Sequence, residues 1–336
     1  MALLAALFAL LAAPLFAELS VHVIDVDQGD ATLLLHDEYA ILVDAGPDNG
    51  RARAYLAAIG VAHIDVAIAT HAHADHIGGF PDIFEHKSVD ELWYNGQAHT
   101  TATFDRFLDA IESSDAAYEE PLRGDVAELG RVRIEVLHPD RSAADYDGPL
   151  HDLNKVVRIV HGDSAVLLPG DAEAPLEREL LENIEDLSAQ LLRVAHHGSR
   201  TSTTTGFLEA VSPEVAIYSA GRDNPYGHPH DEVIARLERI GAAVYGTDRH
   251  GNIIATTDGI RWHVETDQYA ELAAACIDIN TADPQRLTEI VHIGEARARA
   301  LVAMRPFDSV EELVRIPGIA DVRIRDIIEQ GFACVE

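Results

Sequence analysis

The sequence predicts an α+β chain in which two β-sheets pack on each other and are covered by helices. Short apolar runs, alternating or continuous and punctuated by Gly and Asp, recur along residues 19–265 as strands. Helical stretches are interposed among them in mixed order. A third observation says what such a scaffold holds. The block Thr70-His71-Ala72-His73-Ala74-Asp75-His76-Ile77-Gly78-Gly79 directly follows the apolar run Ile64-Asp65-Val66-Ala67-Ile68-Ala69.

The first strands are expected at 19–26, 31–36 and 39–44, separated by Asp27-Gln28-Gly29-Asp30 and Asp37-Glu38. A helix at 51–59 precedes the strand that launches the histidines. Further strands are expected at 132–137, 155–161, 164–168, 191–195, 215–219, 243–246, 252–257 and 260–265, and helices at 103–113, 174–183, 205–211 and 231–240. The boundary of this region falls at 266–275.

Three imidazoles and one carboxylate leave the strand within six positions, the ligand spacing of a dinuclear metal site. Divalent ions with an open position make a hydroxide nucleophile near neutral pH, and two of them can clamp an ester during its hydrolysis. The chemistry expected is therefore hydrolysis.

The 336 residues suggest about two domains, and 47% hydrophobic residues suffice for a sizeable core, which excludes a disordered chain. Basic residues number 25 against 57 acidic, a net charge of −32, and Lys87 and Lys155 are the only lysines. Such a surface favours solubility and opposes loose binding of polyanions. Residues 1–17 form an apolar run ending in Pro14-Leu15-Phe16-Ala17 before Glu18, with no Lys or Arg. It reads as a secretory signal or as an uncleaved N-terminal membrane anchor, placing the protein outside the cytoplasm. Cys276 and Cys334 bracket the last segment and either staple it or serve as unrelated small hydrophobes.

Six blocks in order carry a resemblance: Asp25-Val26-Asp27-Gln28-Gly29-Asp30-Ala31, Val43-Asp44-Ala45-Gly46, the histidine block, Pro169-Gly170-Asp171-Ala172, Ala195-His196-His197-Gly198-Ser199, and Asn224-Pro225-Tyr226-Gly227-His228-Pro229-His230. With them residues 18–267 resemble a metallo-β-lactamase-fold hydrolase, an αββα sandwich with metals at the strand ends. Within that superfamily they are similar to the hydrolase domain of ComEC-type DNA-uptake proteins. The resemblance implies two divalent ions, zinc or manganese. His71 and His73 would hold the first, Asp75 and His76 the second, with Asp171 bridging and His197 as a further nitrogen ligand. Where many members supply another histidine, this chain has Leu153-Asn154-Lys155. Asn154 would bind through its amide oxygen, or His151 would take that place.

The same resemblance implies that Asp44 orients a ligand histidine, with His196 in a similar supporting place. Asp75 and Asp171 would position the nucleophile. His228 or His230 would protonate the leaving group, and Ser199, Arg200 and Thr201 would bind phosphate. Two departures are visible: Asp27 stands where the family commonly has Gly, and Pro169 where it has Thr.

Residues 276–336 resemble a ComEA-type domain of two helix-hairpin-helix units, a small all-α module. Thr281 is expected to cap a helix through Ile290, and Val291-His292-Ile293-Gly294 forms the first hairpin before a helix from Glu295. Ser309 and Glu312 read as a capping box. Ile316-Pro317-Gly318-Ile319 forms the second hairpin. Hairpins of this type offer backbone N–H groups to phosphate, so DNA would be bound without regard to sequence. The candidates are Gly294, Arg297, Arg299, Gly318, Arg323 and Arg325. Residues 277–336 carry seven arginines and eleven acidic residues, a net −4 that leaves −28 to the remainder. The expected function is a secreted phosphodiesterase or nuclease acting on DNA. A secreted hydrolase of small esters and a non-enzymatic DNA receptor are the alternatives.

Overall fold

The computed structural model describes residues 18–146, 148–267, 277–307, 309–320, 323–324, 327–328 and 333–335. The expected leader, Cys276 and Arg325 lie outside the described residues. The chain divides into two units, Met1–Thr266 and Asp267–Glu336.

In the first unit β1 (Leu19–Val23), β2 (Thr32–His36) and β3 (Tyr39–Val43) form an antiparallel meander. β4 (His63–Ile68), β5 (Ser88–Trp93) and β6 (Ala117–Glu119) extend it in parallel. The second sheet begins with antiparallel β7 (Val126–Leu129), β8 (Val132–His138), β9 (Val156–His161) and β10 (Ser164–Leu168). It continues in parallel through β11 (Leu191–Arg193), β12 (Val215–Tyr218) and β13 (Ala243–Gly246). The chain then returns to the first sheet, where β14 (Ile253–Thr257) pairs with β1 and β15 (Trp262–Thr266) with β14. The orders are β15-β14-β1-β2-β3-β4-β5-β6 and β13-β12-β11-β10-β9-β8-β7.

Alternation decides the layers. Leu19, Val21 and Val23 face Val132, Ile134 and Val136 in one dry interior between the sheets. The opposite faces are covered by helices, because their Leu33, Leu42, Ile64 and Leu92, or Leu167, Leu192 and Ala216, would otherwise meet water. On the first sheet lie α1 (Arg51–Ala58), α2 (Ala74–Ile77), α3 (Phe80–His86) and α4 (Ala102–Ser113), contributing Leu56, Phe80, Phe104 and Phe107. On the second lie α5 (Ala174–Asn183), α6 (Thr205–Val211) and α7 (Asp231–Arg239), contributing Leu180, Phe207, Leu208 and Leu237. A four-residue α8 (Thr247–His250) follows β13. This is the αββα sandwich.

β5, β6, β7 and α3 are elements the sequence did not announce. Ser88–Trp93 carries Asp90 and Glu91 between its buried residues, which hides its period. Pro81 looks like a breaker but sits in the first turn of α3, where no N–H is needed. The expected strand 191–195 stops at Arg193, because Ala195–Gly198 turns sharply.

The second unit buries Ile279, Leu287, Ile290, Ile293, Leu301, Phe307, Leu313, Ile316 and Ile319 around α9 (Glu295–Met304). Two short 3-10 segments, Arg286–Glu289 and Val310–Arg315, stand where α-helices were expected. The caps differ from expectation too. Asp283, not Thr281, accepts from the N–H groups of Gln285 and Arg286 (2.8 and 3.0 Å), while the Thr281 hydroxyl donates to Asp278 (2.6 Å). No side-chain cap forms at Ser309, so the serine half of the expected box is not made. A parallel ladder of β16 (Ile277–Asp278) and β17 (Ala333–Cys334) adds to the all-α expectation, and Cys334 is disulfide-bonded. Among the described residues no helix is long and apolar enough to cross a membrane.

Candidate metal centre

β4 delivers the histidine block to the rim of the first sheet, and α2 turns it back so that Asp75 and His76 share the space entered by His71 and His73. Gly79 permits this return: a Cβ there would lie 2.1 Å from the Ala45 carbonyl oxygen. The Gly79 N–H instead donates to Gly46 O (2.9 Å), and Ala45 N–H to His76 O (2.8 Å). From the second sheet β10 delivers Asp171 through Gly170, whose φ of +54° and contact with the Asn154 amide exclude a side chain. β11 delivers His197 through a turn in which His196 and His197 both adopt left-handed backbone (φ 52° and 55°). Non-glycine residues pay for that conformation, and it is held here because it aims His197 inward.

Potential ligands gather in two groups around Asp171, His71, His73, His151 and Asp171 itself, and Asp75, His76 and His197, with a third set of His151, Glu173 and His196 beside them. His73 Nδ1 lies 2.8 Å from His71 Nε2 and 3.1 Å from His151 Nε2. Asp171 stands between the groups. Its Oδ2 is 3.6 Å from His71 and 3.8 Å from His151, whereas its Oδ1 is 3.2 Å from His76 and 3.9 Å from His197. His197 Nε2 is in turn 3.2 Å from Asp75 Oδ2. His76 Nε2, His197 Nε2 and Asp171 Oδ1 are buried with no hydrogen-bond partner. Three converging polar atoms in that condition are costly unless a cation meets them, so these residues fit divalent metal.

The outward ring nitrogens are fixed. Asp44 Oδ2 is 2.7 Å from His76 Nδ1, and it also accepts from the Thr70 hydroxyl (2.8 Å). The Thr70 oxygen lies 3.0 Å from His71 Nδ1 and serves as its acceptor. His197 Nδ1 donates to Ser219 O (3.0 Å). Each Nε2 therefore faces inward, the arrangement metal-binding imidazoles need. Burial, with charge on His76 adding to it, holds His71 well below the usual histidine range, and burial pulls His73 down to about 4. Burial opposes a charged His76 too, yet the Asp171 and Asp44 carboxylates outweigh it and raise this ring. Burial likewise works against an ionised Asp171, but His76 and His197 hold its carboxyl well below the usual range.

The remaining candidates divide. Asn154 is engaged by backbone: its Oδ1 accepts from Asp171 N–H (3.1 Å) and its Nδ2 donates to Pro169 O (2.5 Å). The nitrogen in that place is His151, on the 3-10 turn Leu150–Leu153, which sequence reasoning held only as an alternative. His196 Nε2 reaches to 3.7 Å from Asp171 and its Nδ1 to 3.4 Å from Glu173. His228 stacks beside His197 with ring centroids 6.1 Å apart and lies 5.1 Å from the His230 ring. Burial and the neighbouring imidazoles lower His228 to about 4. His230 Nδ1 accepts from Arg200 N–H (3.2 Å). Ser199 and Thr201 hydroxyls bond each other (3.0 Å), and the exposed Arg200 guanidinium pairs with Glu232 (3.5 Å). Asp27 is exposed, with left-handed backbone (φ 67°).

In the second unit Gly294 is the N-cap residue that precedes α9. Arg297 donates to His292 O (2.8 Å) and lies against Gly318, where a Cβ would be 3.0 Å from its Nη2. Arg323 also donates to Gly318 O, so both guanidiniums brace hairpin backbone. Arg299 is exposed, 3.8 Å from Glu295.

Comparison with known proteins agrees with this geometry. The family described as the metallo-beta-lactamase superfamily matches residues 24–222, and that described as the helix-hairpin-helix motif matches residues 273–329. The chain is similar to ComE operon protein 3 of Bacillus subtilis, 30% identical over 71% of this chain and 33% of that protein. It is similar to competence protein ComA of Neisseria gonorrhoeae, 31% identical over 70% of this chain and 32% of that protein. It thus spans about a third of the length of these relatives. A protein described as a deoxyribonuclease from a Thioalkalivibrio strain is 44% identical over 20% of this chain and 19% of its own length. The chain belongs to the metallo-β-lactamase superfamily and carries a C-terminal helix-hairpin-helix motif.

Proposed function

We propose that this chain is a metal-dependent phosphodiesterase that cuts DNA outside the cytoplasm, the strand being held without regard to sequence by the helix-hairpin-helix unit. The observation that carries the reading is Asp171, which turns one carboxylate oxygen to each of two ligand groups. His71, His73, His151 and Asp171 would hold one divalent ion, and Asp75, His76, His197 and Asp171 the other. Zinc or manganese suits these donors, and the nitrogen that His151 supplies shifts the balance toward zinc. Such a pair lowers the pKa of a water and neutralises the non-bridging oxygens of a phosphodiester.

The protein's own residues supply the rest. Asp44, Thr70 and the Ser219 carbonyl hold three imidazoles in orientation before substrate arrives, so no reorganisation is needed during reaction. His228 and His230 stand on the loop beside His197, where an imidazole would hydrogen-bond a substrate oxygen. The nucleic-acid part is supported by the helix-hairpin-helix match and by similarity to the competence and deoxyribonuclease relatives. The location is supported by the apolar run of residues 1–17 and by the competence relatives. A small ester is the second reading, favoured by the net charge of −32.

The test is cleavage of plasmid and of labelled strands with manganese or zinc, beside His73→Ala and Asp75→Ala. Metal-dependent cutting lost in both variants supports the proposal. Hydrolysis of small chromogenic diesters alone favours the second reading, and DNA binding without any cleavage would make the chain a receptor.

A further inference from the structure

A cavity of about 650 Å³ opens beside the first ligand group, with Gln97, His99, Glu120, Tyr146, Gly148 and Leu150 in its wall. Two features place it against the metal centre. The His99 ring lies 6.2 Å from the His73 ring, and Leu150 immediately precedes His151 on the same turn. Its size is that of a small-molecule site. Among the described residues no lysine or arginine lines it and Glu120 is the charged group in its wall, so it repels phosphate and suits an uncharged moiety.

Gln97 makes the site specific. The residue is 6% exposed, and its Nε2 donates to Gly148 O (2.8 Å), which fixes the amide with Oε1 as the other end. That Oε1 is buried and has no hydrogen-bond partner. A buried acceptor left without a donor costs stability unless something bound supplies one. Gln97 is otherwise rigid: its N–H donates to Asn95 Oδ1 (2.9 Å), and the Tyr94 hydroxyl donates to its carbonyl. The Tyr146 hydroxyl is tied to Asp152, so its ring is a fixed wall.

Resting on the nuclease reading above, we infer that this cavity takes one unpaired nucleobase of the strand being cut. The base N–H groups supply the donor that Gln97 Oε1 lacks, the Tyr146 and His99 rings offer stacking surface, and the neighbouring phosphodiester reaches the ligand cluster. A base inside a duplex cannot enter such a cavity without leaving its stack. The substrate class is therefore single-stranded DNA or a frayed end.

The experiment compares two labelled oligonucleotides of equal length, one ordinary and one with abasic spacers throughout, each cut by the full chain with manganese. The hairpins contact backbone, so they do not distinguish the strands. The inference predicts kcat/KM at least about tenfold lower for the abasic strand. Ala144→Trp, which fills the cavity, and Gln97→Leu, which removes the free acceptor, should bring that ratio toward unity. Equal rates on the two strands in the unmodified chain overturn the cavity assignment and leave the nuclease reading intact. Cleavage of neither strand overturns the nuclease reading, and the cavity assignment with it.

Discussion

Asp44 lies 2.7 Å from His76 and, through the Thr70 hydroxyl, also governs His71, so one buried carboxylate orients a ligand in each metal group. Its left-handed backbone (φ 58°) places it there. Asp44→Asn should weaken metal binding by about 10- to 100-fold, the usual effect of removing such a partner. Thr70→Val should weaken it less, and chiefly in the group holding His71. Competition titration with a chromogenic chelator reads both.

His151 and Asn154 make opposite predictions. His151→Ala should remove one ion from the folded protein. Asn154→Ala should retain both ions yet lower stability by about 1–3 kcal/mol, since Asp171 N–H and Pro169 O lose their partners. Elemental analysis beside urea unfolding separates the two effects. Loss of an ion in Asn154→Ala alone would restore the amide as a ligand.

Lys155 is fully buried, its ammonium nitrogen 2.7 Å from Pro121 O. Burial pulls it down to about 7, against the opposing influence of Glu120 and Asp125. The unfolded chain takes up this proton below about 10.5, while the folded chain does not until about 7. Stability from this group therefore falls as pH descends through that window and is level below it. Lys155→Met should flatten the window, although Pro121 O loses its donor. Denaturation midpoints measured across the window test this; an unchanged slope would contradict it.

Arg193 and Asp30 form a buried ion pair that joins the two sheets, with Arg193 also donating to Thr32 Oγ1 (3.0 Å) and to Ile217 O. Removing one member strands the other charge. Asp30→Leu should cost about 3–5 kcal/mol, and the double variant with Arg193→Met should recover much of it. A double variant whose loss equals the sum of the two single losses would show that the pair is not coupled.

What the sequence made legible follows from how local each signal is. The strands of residues 19–44 are alternating or continuous apolar runs cut by Asp and Gly, and His71, His73, Asp75 and His76 sit within one loop and turn, so both are readable from neighbours alone. His151 comes from far along the chain on a short 3-10 turn with no period, and only folding brings it to His73 (3.1 Å). Gln97 and Asp30 look like ordinary loop residues in sequence, because their meaning lies in burial. The tail shows the limit of local rules: Thr281 and Ser309 are good caps by type, yet Asp283 captures the free N–H groups of the first turn.

The central claim is a pair of ions shared by Asp171. Its most direct test is elemental analysis with anomalous diffraction on the folded, purified chain after exposure to zinc or manganese. The account predicts two ions on opposite sides of the Asp171 carboxylate, about 3.5–4 Å apart. Folded protein that takes up no transition metal, or a single ion remote from Asp171, would contradict it.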